Sequence, residues 1–512
     1  MVNHPSARVS ALPRSGLARE TRRSKGQFWT PDWVADFMVA YVLHRHPALL
    51  LDPALGEGAF FRAAKRYAEC GGFTLTMHGR DIDPEILIHA RESGLSDADL
   101  QHVELKDFVL EPPREQFPAI VANPPYIRHH RLTTEQKQLL RHYAQAATGR
   151  HIDGRAGLHV YFLIRALQSL SPHGRLAYIV SADICEGVFA RQLWGWICEK
   201  FRLDGVITFS TGAAPFPDVD TNALIFLLAN EPPVPEFDWV VCHTRETAPL
   251  LAVLEQQVPP GEAVTVHRRT VTEALSTGLS RPPQAEAVSR FTLGDFASVM
   301  RGIVTGDNDF FFLTSAQRDK LGIPAGLFVR AVGRTRDVSG DHLTLDDMDR
   351  LDENGRPTYL LSLNGTAFDA LPMSVQQYLR EGERRGIPEK VLIQTRKPWY
   401  RMEHRQVPPF LFAYLGRRSS RFIRNQAGVV PLTCLMCIYP HLTDSAFIER
   451  LWRVISHPET VANLRLVGKS YGGDAIKVEP RALERLPLPD ALVVESGLHQ
   501  YLQQKQGALD FR

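Results

Sequence analysis

The chain of 512 residues predicts an α/β fold with a mainly parallel, doubly wound sheet, followed by an α+β domain. Three observations predict it. Strand-like and helix-like segments alternate from residue 25 to 230, the pattern of a parallel sheet covered by helices on both faces. A glycine-containing turn joins the first strong strand to a helix, and the strands that follow end in acidic residues. Around Phe291 the character changes, to glycine-bearing loops, a phenylalanine run and clustered arginines. The composition, 44% hydrophobic, is ample for sizeable cores, and no apolar run approaches the roughly 20 residues of a membrane helix.

Taken in order, residues 1–24 carry Arg8, Arg14, Arg19, Arg22 and Arg23 against Glu20 and read as a basic flexible tail. No hydrophobic core of a secretory signal stands there, so the expected location is the cytoplasm. Leu49 to Asp52 form a strand, and Pro53 to Gly58 form the turn. Gly56 and Gly58 allow backbone to approach a ligand closely, and the helix that follows offers free N–H groups. Leu75 to Pro84 is a second short strand, ending in Asp81, at about the spacing where nucleotide-binding folds set a carboxylate on ribose hydroxyls. Val103 to Phe108 supplies one more strand-end acid, Asp107, beside Phe108.

The next strand, Ala119 to Ala122, runs into Asn123-Pro124-Pro125-Tyr126. Two prolines cannot continue a strand, since each fixes φ and lacks an N–H, so the chain turns outward. Pro125 biases Pro124 toward an extended conformation, which presents the Pro124 carbonyl as an acceptor. The Asn123 amide oxygen is a second acceptor, and Tyr126 is a flat surface. Two acceptors aimed at the two hydrogens of one planar NH2 group would draw its lone pair out of conjugation.

At this point the chain resembles the S-adenosylmethionine-dependent DNA adenine-N6 methyltransferases, specifically the gamma class of type II restriction-modification systems, in which the methyl-donor site precedes the Asn-Pro-Pro-Tyr site. The resemblance begins at Lys25-Gly26-Gln27-Phe28-Trp29-Thr30-Pro31 and implies that Phe28 and Thr30 lie against the methionine part of the cofactor. It gives Asp52, Pro53, Gly56 and Gly58 to the glycine-turn motif, and Asp81, Asp107 and Phe108 to the acidic and adenine-flanking positions. Asn123, Pro124 and Tyr126 match the catalytic motif, and Phe216, in Pro215-Phe216-Pro217, would complete a sandwich with Tyr126 around an extruded adenine. One departure is visible: Gly157-Leu158-His159 stands where such enzymes commonly carry an acidic residue, Leu and Tyr. The implied architecture is a Rossmann-like methyltransferase domain at 25–230, a connector at 231–290, an α+β target-recognition domain at 291–490 and a C-terminal tail at 491–512.

A net charge of +2 does not indicate nucleic acid, but the distribution of charge does. Between Lys390 and Arg424 lie Arg396, Lys397, Arg401, Arg417, Arg418 and Arg421, interleaved with Trp399, Tyr400, Phe410, Phe412, Tyr414 and Phe422, a mixture suited to phosphates and bases. Arg128, His129 and His130 follow the catalytic tetrapeptide and are placed for phosphate contact, and Lys469 lies in a loop that resembles the end of such recognition domains. Cys434-Leu435-Met436-Cys437 has metal-like spacing without a second pair, in an apolar strand, so core thiols and no metal are expected. The expected partner is double-stranded DNA, the expected state a monomer, with any cognate restriction endonuclease on a separate chain. A protein-glutamine or RNA adenine methyltransferase would use the same tetrapeptide, and a non-catalytic DNA-specificity subunit is the remaining alternative.

Overall fold

The computed structural model describes residues 29–185, 188–216, 222–255, 262–281, 283, 289–414, 420–471 and 475–502, of which 211, 469–471 and 475–477 by their backbone only. They divide into two compact units, Met1–Pro283 and Gln284–Arg512.

In the first unit the strands are β1 Leu49–Asp52, β2 Thr76–Asp81, β3 Val103–Leu105, β4 Phe117–Ala122, β5 Leu170–Ser181, β6 Arg202–Phe209, β7 Ala223–Ala229, β8 Glu236–Cys242 and β9 Val264–Thr270. They form one sheet in the order β3-β2-β1-β4-β5-β7-β6-β8-β9. The run from β3 to β5 is parallel throughout, whereas β7 enters antiparallel between β5 and β6. Successive side chains divide between two cores, Leu51, Ile120, Tyr178 and Phe226 on one face and Leu50, Val121, Ile179 and Ile225 on the other. Both faces are covered, which is why these strands read as continuous apolar runs. Helices α1 (Asp32–Leu43) and α2 (Ala59–Gly71) lie on the second face; α3 (Leu158–Gln168) and α4 (Ala190–Lys200) lie on the first. Strand order reverses between β1 and β4, so a crevice opens at the carboxyl ends of those strands, the place where such sheets bind ligands.

The stretch 231–290 is not a connector over most of its length. Strand β8 joins β6 and β9 joins β8, so the sheet continues to Thr270. Phe237, Trp239, Val240 and Cys242 are buried, and the Trp239 indole N–H donates to the Leu279 carbonyl at 3.1 Å. The guanidinium of the buried Arg269 holds Glu273 and the carbonyls of Gly278 and Arg281. A strand at Trp239 to Val241 is legible in the sequence, but the polar residues around it conceal that it and its neighbour extend the main sheet.

The second unit contains a five-stranded sheet in the order Ala297–Arg301, Leu435–Pro440, Phe410–Ala413, Arg421–Asn425, His342–Leu343. A four-stranded sheet runs Phe312–Leu313, Tyr359–Leu361, Phe328–Val332, Val430–Pro431. With the helices Leu345–Glu353, Met373–Arg384 and Ser445–Ile455 this is an α+β arrangement. The segment after residue 490 is no tail as far as it is described: Asp490–Glu495 is helical, and Val493 and Leu498 are fully buried against Phe447 and Leu451. Among the described residues no helix is long and apolar enough to cross a membrane.

Candidate active site

The turn after β1 is held by two aspartate side chains. Asp52 is completely buried, and its Oδ1 accepts from the Ala54 N–H at 3.1 Å. Burial pushes its carboxyl up to about 8; the Ala54 hydrogen bond opposes the rise and the charge of Asp81 adds to it. Asp81 Oδ2 accepts from the Gly56 N–H at 3.1 Å, while its Oδ1 accepts from Ile82 and Asp83 N–H groups at 2.8 and 3.0 Å. Burial raises its pKa too, opposed by these bonds. Asp81 thereby stitches the turn to the end of β2, and a carboxylate has about four lone-pair sites, so it keeps acceptor capacity for a ligand.

The two glycines serve different ends. Gly56 has φ +52°, and a Cβ there would stand 3.3 Å from the Trp29 ring, on the wall of a cavity of about 460 Å³. Gly58 has φ +73°, and a Cβ there would meet Leu95 Cδ1 at 2.4 Å. Gly58 does not line the cavity, so its smallness serves packing between the turn and Leu95 rather than approach to a ligand.

The cavity gathers residues from four strand ends. Pro53 and Gly56 come from the turn, Asp81 ends β2 and Ile82 to Pro84 follow it, Lys106 to Phe108 follow β3, and Asn123, Pro125 and Ile127 follow β4. Trp29 and Thr30 close one side, and Leu158 and Phe162 of α3 another. Its size is that of a small-molecule site, apolar with a few converging polar groups. Asp107 Oδ1 accepts from the Val109 and Leu110 N–H groups at 2.8 and 2.9 Å. Phe108 is only 1% exposed and its ring packs on Phe162 with centroids 5.4 Å apart. Asp52 lies behind this wall rather than on it. Phe28 lies outside the described residues.

The Asn123 Nδ2 donates to Thr30 Oγ1 at 3.1 Å, which fixes the amide so that its oxygen is the acceptor end. Pro124 is buried. Tyr126 does not line the cavity; its hydroxyl donates to the Ile179 carbonyl at 3.3 Å, and burial raises its pKa. Tyr126 packs against the core on one face of the sheet and Phe216 against the core on the other. Pro217 to Thr221, which follow Phe216, lie outside the described residues.

Sequence reasoning missed Ile82, which is 70% exposed and borders the cavity, together with Trp29, Leu158 and Phe162. An exposed isoleucine directly after a strand-end acid is the one local signal that would have marked a ligand-covered surface.

The basic residues divide. Arg128 and His130 are exposed and His129 is half-buried, its pKa lowered by burial and then by His130 and Lys137. Lys397 and Arg401 are exposed. Arg396 instead donates to the carbonyls of Thr305 and Val304, both at 2.8 Å, and Arg421 to those of Gly340 and Val338 at 3.0 and 2.5 Å. These two guanidiniums tie loops together. Arg417 and Arg418 lie outside the described residues, as does the side chain of Lys469. Of the interleaved aromatics, Tyr400, Phe410, Phe412, Tyr414 and Phe422 are core residues: Phe410, Phe412, Tyr414 and Phe422 share one apolar cluster and Tyr400 lies in another, while Trp399 alone among them is half-buried.

Two family models match: N-6 DNA Methylase over residues 15–231, and Type II methyltransferase M.Eco57I, C-terminal domain, over residues 283–509. The chain is similar to the Type II methyltransferase M.AccI of Acinetobacter calcoaceticus, 22% identical over 96% of this chain and 92% of that one. It is 23% identical to the Type II methyltransferase M.XamI of Xanthomonas campestris pv. amaranthicola, over 91% of this chain and 85% of the relative. Among solved structures, the Type IIL restriction-modification enzyme MmeI, determined in complex with DNA, shares the fold with a TM-score of 0.55 at 13% identity. The alignment covers 91% of this chain, which spans 64% of the length of that one.

Proposed function

Since the chain belongs to the N-6 DNA methylases and carries the C-terminal domain of Type II methyltransferases, an adenine-specific DNA methyltransferase by family, we propose that it methylates N6 of an adenine extruded from duplex DNA at a specific sequence, with S-adenosylmethionine as donor. It would act as the modification enzyme of a restriction-modification system. The order of its motifs, glycine turn before Asn-Pro-Pro-Tyr and recognition unit after both, supports a gamma-class arrangement.

The observation that carries this reading is the meeting of Asn123, held by Thr30, with the glycine turn and Asp81 on one cavity. The residues present fit the donor. Asp81 is the acceptor for ribose hydroxyls, Ile82 and Phe108 are the apolar surfaces for an adenine ring, Asp107 the acceptor for its amine, and Trp29 and Thr30 border the methionine end. When bound, the donor supplies an electrophilic methyl group on sulfur. Asn123 and the Pro124 carbonyl orient the substrate amine and draw its lone pair out of the ring. Neither is a strong base, so positioning supplies much of the acceleration. Tyr126 and Phe216 are the stacking surfaces that offset the few kcal/mol of base extrusion.

The test is incubation of the protein and S-adenosylmethionine with unmethylated bacterial DNA, then long-read sequencing for modified adenines. One short motif carrying N6-methyladenine is the expected result. Asn123→Ala should abolish transfer and leave donor affinity unchanged in calorimetry. An unmodified genome with donor binding intact would turn the reading toward RNA or protein substrates, and a fully active Asn123→Ala would overturn the mechanism.

A further inference from the structure

His159 closes Gly157-Leu158-His159, the stretch at which the sequence departs from the pattern of the family it resembles, and its surroundings supply a reason. The imidazole lies against Gly157: a Cβ at position 157 would stand 2.7 Å from His159 Cε1 and 2.9 Å from His159 Nδ1. The space that an acidic side chain at 157 would enter is therefore filled by this ring. Position 157 is also pinned to the segment after the catalytic motif, since the Leu158 N–H donates to the Ile127 carbonyl at 2.9 Å, and the Cβ would lie 2.9 Å from that same oxygen. A side chain at 157 is thus excluded from two directions.

The other neighbour of the imidazole is Tyr126. The two rings are stacked, with centroids 6.1 Å apart and planes inclined by 28°, within the range of favourable aromatic pairs. The backbone around His159 is fixed from the sheet, because the Tyr178 hydroxyl donates to the His159 carbonyl at 2.5 Å. The Tyr126 hydroxyl is tied to Ile179, the next residue of β5. One strand thereby sets the spacing of both rings.

Both ring nitrogens of His159 are buried and neither has a hydrogen-bond partner among the described residues. Burial holds the imidazole neutral, its pKa pushed down to about 4. A buried donor or acceptor left unpaired is destabilising, so hydrogen bonding does not account for a histidine here. What the ring has in use is its flat face.

We propose that His159 is a positioning residue for Tyr126: from the space left open at Gly157, its imidazole backs the phenol ring and fixes it as a ready stacking surface for the extruded base. This rests on the reading of Tyr126 given above. Leucine has nearly the volume of histidine and no flat face, whereas phenylalanine keeps the face and lacks the nitrogens. His159→Leu should therefore lower kcat/KM for DNA by about three- to tenfold, the measured worth of an aromatic pair. Donor affinity should stay within about twofold, because Tyr126 does not line the donor cavity. His159→Phe should restore most of the loss.

The measurement is transfer of labelled methyl groups to unmethylated bacterial DNA by the full-length chain and both variants, with calorimetric titration of S-adenosylmethionine. It is joined by fluorine NMR of 3-fluorotyrosine protein, the Tyr126 resonance being assigned by its loss in Tyr126→Phe. In His159→Leu that resonance should broaden or move toward that of free fluorotyrosine, and in His159→Phe it should stay dispersed. A Tyr126 resonance and kcat/KM unchanged in His159→Leu would overturn the proposal. So would a His159→Phe variant as impaired as His159→Leu, since the nitrogens would then carry the effect. A parent enzyme that methylates no DNA would instead overturn the proposed function, with the fluorine readout still reporting on the ring pair.

Discussion

Replacing Gly58 by alanine distinguishes a glycine kept for packing from one kept for a ligand. Residue 58 is left-handed, with φ +73°, and holding alanine there costs about 1–2 kcal/mol. Its Cβ would also lie 2.4 Å from Leu95 Cδ1, and displacing that side chain in a packed core adds about 1–3 kcal/mol. The expected loss is therefore about 2–5 kcal/mol. Each kcal/mol moves Tm by about 2–4 °C in a domain of roughly 150–250 residues, and the unit Met1–Pro283 is slightly larger, so a fall of up to about 20 °C is expected. Gly56→Ala meets only the edge of Trp29 at 3.3 Å, so its stability cost is mainly the backbone term of about 1–2 kcal/mol. That substitution narrows the cavity itself, and donor affinity should fall more than with Gly58→Ala. Scanning calorimetry and titration with S-adenosylmethionine measure both. A Gly58→Ala protein with the parent Tm and weakened donor binding would refute the packing argument and return Gly58 to the ligand.

Asp52 carries a folded-state pKa of about 8, above that of an unfolded aspartate, so the folded protein binds the proton more tightly and stability falls as pH rises from about 4 toward 8. Asp52→Asn removes that dependence while keeping an acceptor for the Ala54 N–H; its Tm advantage over the parent should grow with pH, and a constant difference between pH 5 and 8 would contradict the buried acid. Arg396→Ala should destabilise the second unit by about 2–4 kcal/mol, because two charged-donor hydrogen bonds to part-buried loop carbonyls are lost, and leave the salt dependence of DNA binding nearly unchanged. Lys397→Ala should do the reverse, with little change in Tm and a salt slope reduced by about 1; the opposite assignment of effects would make Arg396 the phosphate contact. Leu498→Ala should cost about 2–5 kcal/mol in the second unit, measured by urea unfolding, and a loss below about 0.5 kcal/mol would mean that the C-terminal segment is not docked in solution.

The cavity residues that the sequence made legible are those whose chemistry is local. A strand that ends in Asp52-Pro53 and passes Gly56 to a helix, a strand that ends in Asp81, and an apolar strand stopped by Asn123-Pro124-Pro125-Tyr126 each announce a turn at a strand end by residue type alone. Parallel strands then bring their carboxyl ends to one edge, so Thr30, Pro53, Gly56, Asp81, Asp107, Phe108 and Asn123 reach one cavity, as the order of the segments implies. The alternation of elements was enough for the α/β sheet and its α+β sequel.

What sequence could not decide was which side of each residue faces solvent, because burial depends on elements distant in the chain. Asp52 and Asp81 look alike as strand-end acids, yet one is sealed behind the turn and the other faces the cavity. Arg396 and Lys397 are neighbours in one basic run, and only the placement of Val304 and Thr305 makes the first a clasp and leaves the second exposed. Phe410, Phe412 and Phe422 read as rings among arginines until strands packed on both sides bury them. The chain determined by itself its strand ends, its turn chemistry and the order of its parts, since these follow from short-range sterics and hydrogen bonding. Tertiary structure alone assigned each acid, arginine and ring to wall, clasp or core, since that assignment is set by contacts between residues far apart in sequence.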